Sequence, residues 1–240
     1  MSELRVALVA EGPTDFILIE AALKALLPAP FLATRLQPEP TRPKFGEGWG
    51  GVLRWCLDFA SGGHTAFEDD PRLPGFDLFV IHLDVDVAEM AYGDLGTEMQ
   101  LLAERRQLPK LPCHLPCPPA ADSATVLRTH VLAWAGITRL GSRTALCLPS
   151  KATEAWLVAA TFMDADPMLA GLECNSRIGT QLLSLPRTRR IRKTQRRYHE
   201  LAAGVTEHWD IVRRRCSLAE QFSADIAAIG AGTGGRSAIR

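Results

Sequence analysis

Two short, almost unbroken apolar runs mark the first half of the chain, residues 4–10 and residues 76–83. Runs of that length, rich in Val, Ile and Leu, suit strands of a parallel sheet, buried on both faces. The first is followed by the turn Glu11-Gly12-Pro13-Thr14-Asp15 and then by good helix formers over 16–27, stopped by Pro28. Strand, tight turn and helix form the opening of a βαβ unit. Further strands are predicted at 31–36 and 143–148, and helices at 49–60, 98–106, 123–135 and 151–162. Pro- and Gly-rich stretches at 37–51 and 109–119 and a polar one at 61–75 read as loops. After residue 162 the pattern is helical only, at 178–183, 188–203 and 206–229. The expectation is an α/β fold: a doubly wound, Rossmann-like parallel sheet flanked by helices over 1–165, then a basic C-terminal helical extension over 166–230. The Gly-rich tail, 231–240, is expected to be disordered.

No apolar run approaches the roughly 20 residues that span a bilayer, and the N-terminus enters a strand-like run directly, so no membrane association and a cytoplasmic location are expected. In that compartment the six cysteines should be reduced thiols. Cys113-His114-Leu115-Pro116-Cys117 lacks the second ligand pair that a zinc site requires. The net charge is zero, yet residues 1–100 hold 7 Lys/Arg against 16 Asp/Glu and residues 101–240 hold 20 against 11. An acidic front half suits carboxylates gathered round a cation, and a basic back half suits a polyanion.

Ligands of open α/β sheets collect beyond the carboxyl ends of the strands. Glu11 stands just after the first strand, and Asp84 and Asp86 just after a later one, two residues apart and able to aim the same way. Three clustered carboxylates repel one another unless a cation neutralises them, and hard oxygen donors suit Mg²⁺ or Mn²⁺. Taken singly, each acid could merely solvate a loop; the combination is more specific. Asp15 is read as solvating the start of its helix, and His82 as a buried, hydrogen-bonded residue rather than a ligand.

The segments Val-Ala-Leu-Val-Ala-Glu11-Gly12-Pro13-Thr14-Asp15 and Phe-Val-Ile-His-Leu-Asp84-Val-Asp86 resemble the first two motifs of the TOPRIM domain. That resemblance, over about residues 4–165, implies that Glu11 is a general acid/base or metal ligand and that Asp84 and Asp86 hold Mg²⁺. One departure is Glu89, where many topoisomerases and primases carry Gly. Leu148-Pro149-Ser150-Lys151-Ala152-Thr153-Glu154 is similar to segments of OLD-like and RloB-like TOPRIM proteins associated with phage defence. In that reading Lys151 steadies charge on phosphate and Glu154 adds a ligand for a second ion. The plain alternative is a helix start capped by Ser150, with Trp156 in the core.

Arg187, Arg189, Arg190, Arg192, Lys193, Arg196 and Arg197 fall within eleven residues containing no acid, and Arg213-Arg214-Arg215 repeats the theme. Such clusters bind nucleic acid through counterion release, although many are solvated helix faces. No nucleotide-binding glycine loop is present. The function expected is a divalent-metal-dependent nuclease cutting DNA or RNA. The alternatives are a TOPRIM subunit dependent on a partner such as an ATPase, and a glycosyltransferase using Asp-x-Asp. A homodimer would be in keeping with any of these.

Overall fold

The computed structural model describes residues 3–40 and 44–234. Four parallel strands, β1 (Leu4–Val9), β2 (Phe31–Gln37), β3 (Leu78–His82) and β4 (Thr144–Cys147), form one sheet in the order β2-β1-β3-β4. The chain moves to one side of β1 to make β2 and to the other side to make β3. The switch point therefore lies between β1 and β3, where Val9 stands opposite Ile81.

Alternation along the strands divides two cores. Val6, Leu8 and Val80 join one buried cluster, whereas Ala7, Val9, Phe79 and Ile81 join the other. On the second face lie α2 (Gly48–Ala60), α3 (Thr97–Arg105) and α4 (Ala120–Trp134). The first face is covered by α1 (Pro13–Leu26), α5 (Glu154–Thr161), α6 (Ile178–Ser184), α7 (Gln195–Glu207), α8 (Trp209–Arg215) and α9 (Ser217–Gly234). Trp156 of α5 meets Trp209 of α8 edge-on, with ring centroids 5.0 Å apart, and lies 5.9 Å from Phe222 of α9. Tyr198, Val205, Trp209 and Phe222 thus share a core with β1 and α1. Helix α7 runs against α1, where the Thr206 hydroxyl donates to the Ala21 carbonyl at 2.8 Å. Strand β4 ends the sheet, yet all its residues are buried, because α9 packs against it.

Several boundaries differ from the sequence reading. Helix α1 begins at Pro13, whose fixed φ and missing N–H suit a first helical position. The expected helix over 188–203 starts only at Gln195, where the Thr194 hydroxyl accepts from the Arg197 amide at 3.3 Å. The basic run 187–193 is thus non-helical rather than a helix face. The expected helix over 206–229 breaks at Cys216, which has extended backbone (φ −130°, ψ 106°). Residues 231–234, placed in a disordered tail by composition, continue α9, while 235–240 lie outside the described residues.

The cysteine expectation is overturned. Cys117 and Cys174, 57 residues apart, form a disulfide with Cα atoms 5.6 Å apart, while Cys56, Cys113, Cys147 and Cys216 are free. The pairing arises because the proline-rich loop before α4 folds back against the segment following α5, a contact that cysteine spacing does not encode. No helix among the described residues is long and apolar enough to cross a membrane.

Candidate metal centre at the strand ends

Glu11 follows β1, and its Oε1 accepts from the Asp84 amide at 2.7 Å, tying the ends of the two central strands together. Asp84 is anchored through one oxygen. Its Oδ1 accepts from the Thr153 amide and the Thr153 hydroxyl, each at 3.0 Å, and His82 Nε2 lies 3.1 Å away. That nitrogen is also 3.0 Å from Thr153 Oγ1. Thr153 and His82 are fully buried, so this oxygen is held rigidly. Oδ2 of Asp84 has no hydrogen-bond partner among the described residues and remains available to a ligand.

Asp15 enters the same space instead of merely solvating the start of its helix, as the sequence reading had it. It is the third residue of α1, and a helix beginning at Pro13 turns its first-turn side chains back over the strand ends. Asp15 is 3% exposed and its Oδ1 has no partner. A Cβ on Gly12 would come within 3.2 Å of Asp15 Oδ2, so glycine there leaves room for the carboxylate. Donor atoms of Asp15, His82 and Asp84 lie within 4.8 Å of one another, the one such group of three among the described residues. Glu11, Asp86 and Glu154 surround that trio rather than belonging to it.

The electrostatics are those of crowded, buried anions that Lys151, Lys193 and His82 offset only in part. Burial, followed by the Asp84 charge, raises the Glu11 carboxyl well above its usual range. The same two causes lift Asp15 to about 6 and Asp86 to about 7, with Glu89 adding to the effect on Asp86. Burial alone would lower the His82 imidazole, but the hydrogen bond and charge of Asp84, with Asp15, outweigh it and raise it.

Two lysines and a tyrosine complete the surroundings. Lys193 reaches in from the basic run, its Nζ 2.8 Å from Glu154 Oε1, and the Tyr198 hydroxyl donates to that oxygen at 2.7 Å. Glu154 itself is 2% exposed. Lys151 has a left-handed backbone (φ +58°), which delays α5 until Glu154, and its Nζ pairs with Glu89. The Ser150 hydroxyl donates to the Glu173 carbonyl and does not cap α5. Trp156 is fully buried in the core, as the plain reading of this segment has it.

The basic residues divide. Arg187, Arg190, Arg192, Arg196 and Arg197 line one cavity of about 660 Å³. Arg189 instead pairs with Asp166 and lies over the Phe162 ring, 5.0 Å from its centroid. Lys193 serves the acidic site. Arg213 and Arg214 pair with Glu220 and Asp210, and Arg215 with Asp164, so the second basic triplet is compensated locally.

The donor set fits a hard divalent cation. Its carboxylates converge at the sheet's switch point, one buried acceptor is unpartnered, and their protonation is raised as neutralisation by a cation would reverse. Sequence reasoning missed Asp15, Thr153 and Tyr198. For Asp15 the signal was present, since an acid in the first turn after a strand-end Glu-Gly-Pro faces the crevice. Compared with protein-family models, curated proteins and solved structures, the chain matches none.

Proposed function

We propose that the chain is a divalent-metal-dependent phosphodiesterase acting on nucleic acid, with Asp84, Asp15, Asp86, Glu11 and Glu154 as the residues that would hold Mg²⁺ or Mn²⁺. The observation that carries the reading is the convergence of these acids at the strand ends, one residue away from an arginine-lined cavity. When bound, such an ion neutralises phosphoryl oxygens and makes water more acidic. The chain's own groups have separate tasks. Thr153 and His82 fix one oxygen of Asp84 and so aim the other. Tyr198 and Lys193 orient Glu154. Glu11, whose carboxyl holds its proton more tightly than usual, can take or return a proton at the crevice. Lys151 and Lys193 offset negative charge near Asp86. The arginines attract the strand's phosphate groups. The resemblance to OLD-like TOPRIM proteins points the same way, and a role in phage defence comes from that resemblance alone.

The test is incubation of labelled single- and double-stranded DNA and RNA with the protein in Mn²⁺, Mg²⁺ or EDTA, beside Glu11→Gln and Asp84→Asn. Cutting that requires metal and disappears in Asp84→Asn is the expected result. Folded wild-type protein that binds metal but cuts none of the four substrates would sink the enzymatic reading and leave a partner-dependent subunit.

A further inference from the structure

The strap 191–194 separates two environments of opposite sign. Ile191 is buried in the core and its amide donates to the Leu182 carbonyl, which fixes the strap's height. Arg192 and Thr194 line the arginine cavity, while Lys193 between them turns the other way to Glu154. The Thr194 amide donates to the Arg192 carbonyl at 2.8 Å, and this tight turn centred on Lys193 puts its side chain on the opposite side of the strap from Arg192 and Thr194.

Within the cavity five guanidinium groups face one carboxylate, Glu200. Glu200 is already shared by Arg196 at 3.2 Å and Arg197 at 2.9 Å. Arg190 donates its Nε to the Leu185 carbonyl at 3.1 Å and keeps its charge. The Arg187 and Arg192 guanidinium groups have no hydrogen-bond or ion-pair partner among the described residues. Like charges gathered in a concave volume repel, and the arrangement is relieved by an anion of high charge density. Among the groups of a nucleic acid that anion is a phosphate monoester, which carries up to two charges where an internal diester carries one. Planar guanidinium forks also match phosphate oxygens in pairs.

We propose that the arginine cavity is a subsite for the terminal phosphate monoester of a nucleic-acid strand, placing the strand end one strap away from the carboxylates. The proposal rests on the phosphodiesterase reading and narrows its substrate to strands with phosphorylated ends. Arg187 and Arg192 are the principal ligands, and Lys193 stays with Glu154 on the other side of the strap.

The experiment is fluorescence anisotropy of internally labelled oligonucleotides bearing a 5′-phosphate, a 3′-phosphate or hydroxyl ends, titrated with the full chain in EDTA. Inorganic phosphate serves as competitor. Because no metal is present, the result is independent of whether the carboxylates cut. One phosphorylated end is expected to bind on the order of tenfold more tightly than the hydroxyl-ended strand. That preference should vanish in Arg187→Ala/Arg192→Ala and persist in Arg214→Ala; millimolar phosphate should erase it in the wild type. Arg187 and Arg192 are exposed and without partners, so the double variant keeps its fold, checked by circular dichroism. Equal affinity for phosphate and hydroxyl ends would overturn the proposal, as would a preference retained in the double variant or lost equally in Arg214→Ala.

Discussion

The carboxylate crevice and the arginine cavity lie on the two sides of one strap, yet they are built on opposite terms. The crevice draws its members from far apart in sequence: Glu11 and Asp15 from β1 and α1, Asp84 from the end of β3, Thr153 and Glu154 from the start of α5. Its groups are largely buried, hydrogen-bonded and pinned by the sheet. The cavity is made from a single stretch, 187–200, whose arginines are mostly exposed and partly unpaired. The first is rigid and electrostatically strained, and the second is local and adaptable. Chemistry needs the former, since positioning within tenths of an ångström is what a sheet provides. Capturing a polyanion needs only charge and reach. Removing a support of the crevice should therefore damage metal binding and leave nucleic-acid binding alone.

Among changes to residues that support the metal ligands, the largest expected effect tests that independence. Thr153→Val keeps the volume and the backbone amide but deletes the hydroxyl that holds Asp84. Metal affinity, measured by calorimetry with Mn²⁺, is expected to fall on the order of 10–100-fold, the usual cost of losing an outer partner of a metal ligand. Oligonucleotide affinity in EDTA should not change. A parallel fall in both would show that the two regions are one unit.

A smaller effect concerns the strain itself. Asp15→Asn removes a buried charge from the crowd of acids, so metal-free protein at pH 8 should gain stability, on the order of 2 kcal/mol. Metal affinity should fall in the same variant, a trade of function against stability. Thermal melts in EDTA decide it, and an unchanged or lowered Tm would contradict the electrostatic account.

The pH dependence is smaller again and has a definite sign. Asp15 and Asp86, at about 6 and about 7, hold protons in the folded state that the unfolded chain has lost above roughly pH 4. The folded state binds more protons across that window, so stability contributed by these groups falls as pH rises from about 4 to about 7. Metal-free protein should melt lower at pH 8 than at pH 5.5, and saturating Mn²⁺ should narrow the gap. A higher Tm at pH 8 without metal would refute it.

Much of this was legible in the sequence, for reasons that differ by element. The apolar runs at 4–10 and 76–83 stand out because a strand buried on both faces tolerates few polar residues, and their ends located Glu11 and Asp84. Asp15 was read as solvating the start of its helix, whereas the helix begins at Pro13 and turns Asp15 inward. Thr153 and Tyr198 carried no signal, since a buried hydroxyl acts through its partner and the partner is distant in sequence. The basic run was visible by composition, but its division was not. Arg189 goes to Asp166 and Lys193 to Glu154 because the segment is a strap rather than a helix. The Cys117–Cys174 bond was hidden for a similar reason, since it records how two loops meet.

The most direct test of the central claim is whether the strand-end acids bind a divalent cation as a unit. Electron paramagnetic resonance of Mn²⁺ titrated into the full chain at pH 8 counts bound ions directly, without requiring a substrate. The account predicts saturable Mn²⁺ binding in the wild type, loss of more than the roughly 100-fold expected for an outer partner in Asp84→Asn, and unchanged binding in Arg187→Ala/Arg192→Ala. Wild-type protein that leaves the free Mn²⁺ signal undiminished, or an Asp84→Asn variant that binds as tightly as the wild type, would contradict it.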